Sequence, residues 1–281
     1  MTEAIRCCST RRRVTACVRL TSLVNAAVLR VRSLADGVVL GVLDDGDLAV
    51  IDRRYYDRQV DYVDLAYNLS GLMPWEQRFL AVAGNDGGRV VVIGAGGGRE
   101  VEPLLRSGRR VEAYEPNPRL GAFANTLLAS RGFEEVVRPM ERHAWPAVEP
   151  DAAAVVIGWG ALMLVPGRQR RHDLLLAARS WLVPGGHLLV SVAERRSAAG
   201  ARSVQRISSV VRRARGATPT ELGDVLLPNF VHLFTRDELQ DELEAAGLDV
   251  VELAVADGAA DAYLYAVCRR PFTSPAENEE C

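Results

Sequence analysis

A doubly wound, mostly parallel α/β sheet finished by a C-terminal antiparallel hairpin is the fold that this 281-residue sequence predicts, and three observations predict it. The β-branched run Val90-Val91-Val92-Ile93 enters a turn rich in glycine, Gly94-Ala95-Gly96-Gly97-Gly98, which leads directly into the helix-competent segment Arg99–Ser107. From Arg89 onward, short apolar runs alternate with stretches of helical period. Strands buried on both faces read as such runs, and the helices between them are the crossovers of a parallel sheet. The last two apolar runs, Asp249–Ala254 and Ala262–Val267, are separated only by a loop holding Asp257-Gly258, so they must pair antiparallel.

Residues 1–35 carry seven arginines against one acid, and Leu20, Leu23, Val24, Ala27, Val31 and Leu34 recur at helical spacing, which predicts a basic helix with one apolar face. Packing against the rest of the chain explains that stripe more simply than a transit peptide or a membrane-surface helix does. Val38–Leu43 and Leu48–Ile51 flank Asp44-Asp45-Gly46-Asp47, the pattern of a β-hairpin. Tyr55, Tyr56 and Tyr67 fall on helical segments leading to the helix start Pro74-Trp75-Glu76. Residues 1–73 are therefore expected to form a helical and hairpin extension, a lid or wall beside the main domain of residues 74–270.

Within that domain, Gly94, Gly96 and Gly98 keep the spacing that lets a strand-to-helix turn bend tightly and lets a ligand approach the backbone without meeting a Cβ. The second strand, Arg110–Glu115, ends in an acid about twenty residues beyond the first glycine, where a nucleoside-binding βαβ unit places the group that takes the ribose hydroxyls. Asn117 and Pro118 are an N-cap and first-turn proline for a helix that stops at Gly132. A weak third strand spans Glu135–Arg138, and a stronger fourth, Ala152–Ile157, runs into Gly158-Trp159-Gly160. A helix over Arg168–Leu182 breaks at Val183-Pro184-Gly185-Gly186 before the fifth strand, His187–Val192. Residues 194–229 interrupt the rhythm as an insertion expected to lie over the site, with seven arginines between 195 and 215 that could attract an anionic acceptor. Thr235-Arg236-Asp237-Glu238 is a capping box for the last helix, and 271–281 is a tail.

The composition bounds the chemistry. Every one of the 34 basic residues is arginine, which excludes a lysine Schiff base or lysine general base and suggests a GC-rich bacterial genome. A net charge of -2 argues against a dedicated nucleic-acid binder. No run is long and apolar enough to span a bilayer. The five cysteines, at 7, 8, 17, 268 and 281, are odd in number and lack metal-ligand spacing, so no metal is expected and a reducing cytoplasm is the expected compartment.

Taken in order, Val-Val-Ile-Gly-Ala-Gly-Gly-Gly-Arg-Glu at 91–100, Tyr-Glu-Pro-Asn-Pro at 114–118, Leu-Val-Pro-Gly-Gly-His-Leu-Leu-Val-Ser at 182–191 and Phe-Thr-Arg-Asp-Glu-Leu at 234–239 resemble a class I S-adenosylmethionine-dependent methyltransferase. The resemblance covers about residues 74–270 and implies a Rossmann-like fold with S-adenosylmethionine as cofactor. It places Gly94, Ala95, Gly96 and Gly98 beneath the methionine part and ribose, and Glu115 with Pro116 at the ribose. Residues near Met140, Glu141 and Arg142 would border the adenine, and Gly158 and Trp159 the methyl group and acceptor. Two positions depart from the common pattern: Val92 stands where many members carry an acid, and Glu141 replaces an aspartate.

Methyl transfer asks mainly for positioning, because the donor sulfonium is already activated. If the acceptor must lose a proton, His232 is the histidine the chain order places nearest the carboxyl ends of the strands, although a structural role between Phe230 and Phe234 explains it equally well. Trp159, Tyr55, Tyr56 and Phe230 are candidate acceptor contacts, and a small molecule or peptide is the expected acceptor. Two other functions fit the same pattern, an aminopropyl transferase using the decarboxylated cofactor and a non-catalytic, cofactor-binding partner subunit. An oligomer is compatible with either.

Overall fold

The computed structural model describes residues 2–83, 88–196, 198–256 and 263–272, with side chains described from Val18 onward except at 198–199. In chain order the helices are α1 (Thr2–Val42), α2 (Asp45–Arg58), α3 (Leu65–Asn68), α4 (Pro74–Val82), α5 (Val101–Arg106), α6 (Pro118–Ser130), α7 (Arg168–Trp181), α8 (Ala198–Ala214) and α9 (Arg236–Ala245). The strands are β1 (Arg89–Ile93), β2 (Arg110–Glu115), β3 (Val137–Pro139), β4 (Ala152–Ile157), β5 (Leu182–Ala193), β6 (Asp224–Leu226), β7 (Phe230–His232), β8 (Asp249–Val255) and β9 (Tyr263–Arg269). No helix among the described residues is long and apolar enough to cross a membrane.

Two compact units form. The larger comprises residues 44–196 and 226–281, and it holds a seven-stranded sheet in the order β3-β2-β1-β4-β5-β9-β8. Strands β1–β5 are mutually parallel, whereas β9 runs antiparallel to both β5 and β8. The strand order reverses between β1 and β4, so a crevice opens beyond their carboxyl ends. Alternation along β1 sets the two faces of the core. Val91 and Ile93 join Leu174, Trp181 and Leu239 on one side, while Val90 and Val92 join Phe79, Leu104 and Leu128 on the other. Arg171 of α7 and Glu242 of α9 are also buried on the first side, paired at 2.6 Å with a second contact at 3.0 Å. Residues 257–262 between β8 and β9, which include the Asp257-Gly258 loop, lie outside the described set.

The hairpin expected around Asp44-Asp45-Gly46-Asp47 does not form. Val38–Val42 continues α1 and Leu48–Ile51 lies inside α2. The acids act as a capping box instead: Asp44 accepts from the Asp47 N–H at 2.9 Å, and Asp47 accepts from the Asp44 N–H at 3.1 Å. Satisfying two otherwise orphaned donors at the start of α2 outweighs the turn preference of an Asp-Gly pair.

The smaller unit, residues 1–43 and 197–225, pairs α1 with α8. A Cβ added at Gly37 would lie 2.8 Å from Ile207 Cβ, and one at Gly41 would lie 2.6 Å from Val211 Cβ, so these glycines let the two backbones approach. The arginine-rich segment does structural work in this unit. Arg212 donates to the carbonyls of Leu40 (3.4 Å), Leu43 (3.2 Å) and Thr218 (2.7 Å), and Arg215 donates to that of Val42. Both therefore satisfy the carbonyls that the end of α1 leaves open. Cys268 is buried in β9, and burial pushes its thiol up to about 12.

Candidate functional site

The glycine turn is fixed from below before it meets any ligand. The N–H groups of Gly94 and Ala95 both donate to the Tyr114 carbonyl, at 2.9 and 3.1 Å, tying the turn to β2. Gly96 adopts φ +55°, left-handed backbone that a β-branched residue resists, and its N–H donates to Glu115 Oε2 at 2.8 Å. The Asn117 N–H donates to Oε1 of the same carboxylate at 2.8 Å. Each Glu115 oxygen thus takes one backbone donor and keeps a lone pair for another. Burial pushes the Glu115 carboxyl up to about 7, against the two N–H groups that favour its ionised form.

Gly97 is pressed from the other side. A Cβ there would sit 2.3 Å from the Tyr62 carbonyl oxygen and 2.4 Å from Asn68 Oδ1. Asn68 in turn donates from Nδ2 to the carbonyls of Tyr62 (3.1 Å) and Asp64 (2.8 Å). Residues 62–68 therefore close onto the turn. Their rings extend an edge-to-face series, Tyr55 to Tyr56 to Tyr62 to Tyr67, with centroids 5.1, 5.3 and 5.8 Å apart. Burial raises the Tyr56, Tyr62 and Tyr67 phenols above their ordinary value, so all three stay protonated at neutral pH.

Between these parts lies a cavity of about 290 Å³. Its floor is Gly94, Gly96 and Glu115 to Pro118, and its walls bring in Asp52, Tyr56, Tyr62, Met140, Arg142 to His143, Trp145 and Trp159. Arg142 holds one wall together: it pairs with Asp52 and donates to His143 Nε2 at 3.0 Å and to the Leu164 carbonyl at 3.1 Å. Asn229 Nδ2 donates to the second Asp52 oxygen at 2.9 Å. His143 has φ 63°. Burial, with Arg142 and Arg170 nearby, pushes its imidazole down to about 4, so the ring is neutral at physiological pH. Because Nε2 accepts from Arg142, the ring proton sits on Nδ1. At the far side, the Trp159 ring meets Trp75 and Tyr263 edge-on, at 5.7 and 5.4 Å, with the Arg99 guanidinium 5.4 Å from its centroid. Arg99 is itself held by Glu76 (2.7 and 2.8 Å) and Glu100 (2.5 Å).

Of the residues singled out in the sequence, Gly94, Gly96, Glu115, Pro116, Met140, Trp159 and Tyr56 come together around this cavity. Ala95, Gly98, Glu141, Gly158, Tyr55 and Phe230 are not on its walls. His232 is also elsewhere, with no exposed surface, its Nε2 3.2 Å from Glu238 Oε1 and its ring edge-on to Phe234. Asp52, Tyr62, His143 and Trp145 line the cavity without having been expected there. His143 and Trp145 carried one available signal, since they follow the third parallel strand, at the end of the sheet where ligands bind.

Residues 66–253 match a family model described as a methyltransferase domain. No curated protein matches the sequence. Among solved structures, the chain is similar to a 1,6-didemethyltoxoflavin N1-methyltransferase of Burkholderia thailandensis, bound to its acceptor and S-adenosylhomocysteine, at 21% identity and a TM-score of 0.59, over 82% of this chain and 92% of that one. A S-adenosylmethionine-dependent methyltransferase of Methanosarcina mazei aligns at 15% identity and a TM-score of 0.55, over 72% and 99%. A glycopeptide N-methyltransferase aligns at 20% identity and a TM-score of 0.50, over 69% and 88%.

Proposed function

Because the chain belongs to the methyltransferase-domain family, and its reaction is methyl transfer from S-adenosylmethionine, we propose that the cavity over Gly96 and Glu115 holds that cofactor and presents its methyl group to a nucleophilic oxygen or nitrogen of a small-molecule or peptide acceptor. The observation that carries the reading is the Glu115 carboxylate, buried at the end of β2 with both oxygens oriented by backbone donors and each retaining a lone pair. Two adjacent ribose hydroxyls are the ligand such a carboxylate suits.

The remaining residues fit the same molecule. Nothing lies within 4 Å of a Cβ built on Gly96, so the turn leaves open the space a side chain would fill. Met140 and Leu120 offer apolar surface to a purine, and the neutral His143 has its Nδ1 proton to donate there. When bound, S-adenosylmethionine supplies a methyl group on a sulfonium, activated without help from the protein. The chain's part is to orient and to exclude water, through the aromatic rings of Tyr56, Tyr62 and Trp159 and the Asp52–Arg142 pair that ties α2 to the segment after β3. Aromatic faces also attract a cationic centre. The named acceptors of two structural relatives, 1,6-didemethyltoxoflavin and a glycopeptide, support the acceptor class.

Isothermal calorimetry tests the reading: S-adenosylmethionine and S-adenosylhomocysteine are expected to bind and NAD is not. Binding of NAD with no response to either adenosyl ligand would overturn it.

A pH dependence follows from Glu115. With its carboxyl near 7, the residue is mostly protonated at pH 6 and mostly ionised at pH 8. The ionised form is the better acceptor for two hydroxyls, so affinity for S-adenosylhomocysteine is expected to rise with pH across that interval, by at most about tenfold per pH unit below the pKa. Glu115→Gln should bind more weakly and show a flat profile between pH 6 and 8. A native profile equally flat, with Glu115→Gln binding as tightly as the native chain, would place the ribose elsewhere.

A further inference from the structure

The apolar stripe of α1 is not used up by the contact with α8. The side facing α8 carries Gly37, Leu40 and Gly41, and Leu40 is buried there. On a neighbouring side of the same helix run Leu20, Val24, Ala27, Val31, Leu34 and Val38, separated by four, three, four, three and four residues. The large members of this row, with Leu23 and Val28 beside it, are 47–69% exposed.

The spacing is informative. A strict alternation of four and three is the 3.5-residue period of a seam between two helices, narrower than the stripe of a helix lying on a globular core. In that register every a position is valine (24, 31, 38), and the d positions are leucine, alanine and leucine (20, 27, 34). β-Branched residues at a with leucine at d favour two parallel strands. The flanking e and g positions hold Thr21, Leu23, Val28, Arg30, Ala35 and Gly37, and Arg30 would face the partner's Ala35, so identical helices in register meet no like charge. The exposed parts of the row and its apolar flanks amount to roughly 600 Å² per chain, or about 1,200 Å² for a pair, the lower bound of a specific interface.

We propose that residues 20–38 of α1 pair with the same residues of a second copy of this chain as a parallel two-stranded coiled coil. A self-complementary seam of this kind is what a two-fold dimer requires, each residue meeting its own counterpart. A lipid surface suits the segment less well. Residues 18–42 contain no Trp, Tyr or Phe to anchor at an interface, and their charge is three arginines against one aspartate.

Sedimentation equilibrium of the full chain at micromolar concentration is the test, and the expected mass is twice the chain's 30.6 kDa. Val24→Arg with Val31→Arg should return the mass to that of one copy, with helical circular dichroism and S-adenosylhomocysteine affinity unchanged, since both side chains are exposed. A native chain that sediments as one copy would overturn the proposal whatever the variant does. A native dimer that survives the two arginines would overturn it too, as would a monomer that instead pellets with phosphatidylserine vesicles and loses this binding in the variant. The parallel register has its own check. Leu20→Cys, in a chain whose Cys7, Cys8, Cys17 and Cys281 are serine, should form a covalent dimer on mild oxidation. Failure to cross-link while the dimer persists would reject the parallel register.

Discussion

A Gly96→Val chain is expected to fold and yet to lose more than about a hundredfold in affinity for S-adenosylmethionine, some 2.7 kcal/mol or more. Two effects combine. The backbone at this position has φ +55°, and left-handed geometry costs a residue with a Cβ roughly 1–2 kcal/mol, more when it is β-branched. The valine methyls would also project into the space above the turn, since nothing within 4 Å of the Cβ position occupies it in the protein itself. That emptiness is why the fold should survive: the side chain meets the ligand rather than the core. Calorimetry alongside a thermal melt separates the two outcomes. A melted chain would mean that the turn's strain dominates, and a folded chain with native affinity would mean that the cofactor does not pass over Gly96.

The largest loss of stability is expected from Arg171→Ala. Arg171 and Glu242 are 0% and 1% exposed, and the guanidinium holds the carboxylate through both Nε and Nη2 while lying 5.2 Å from the centroid of Phe234. Removing the cation leaves a carboxylate buried between α7 and α9 without a counterion, at a cost of about 3–5 kcal/mol. Replacing both partners with apolar residues of similar volume, Arg171→Met with Glu242→Leu, should recover most of it, because neither charge is then left alone. Urea denaturation of the native chain and the two variants measures the difference. If the double variant were as unstable as the single one, the pair would owe its worth to packing shape and not to charge.

The part of this protein most legible in its sequence is the part built from short-range rules. The run Val90–Ile93, the glycines after it and Glu115 at the end of the next strand all express strand burial, a positive φ and one acid at a fixed distance, and each reads directly from residue order. The hairpin expected at 38–51 illustrates the limit. Asp44-Asp45-Gly46-Asp47 satisfies a turn pattern and a capping box at once, and the helical run on both sides decides between them. The cavity wall was harder. Arg142 falls where the strand order leads, after β3, but its partner Asp52, ninety residues earlier, is marked by nothing in the sequence. Tyr62 enters because Gly97 lets its carbonyl approach. His232, by contrast, carried the right chemistry but is turned toward Glu238, a partner six residues along the chain.

The discontinuity of the smaller unit has a consequence for synthesis. Its two pieces, residues 1–43 and 197–225, are separated in the chain by the first five strands of the sheet. A ribosome adding roughly 5–20 residues per second needs about eight to thirty seconds to cover that interval. For most of it, α1 is already made while α8, the helix that packs on Gly37 and Gly41, is not. The nascent chain therefore carries an uncovered apolar face on α1 until the second piece of the unit is synthesised.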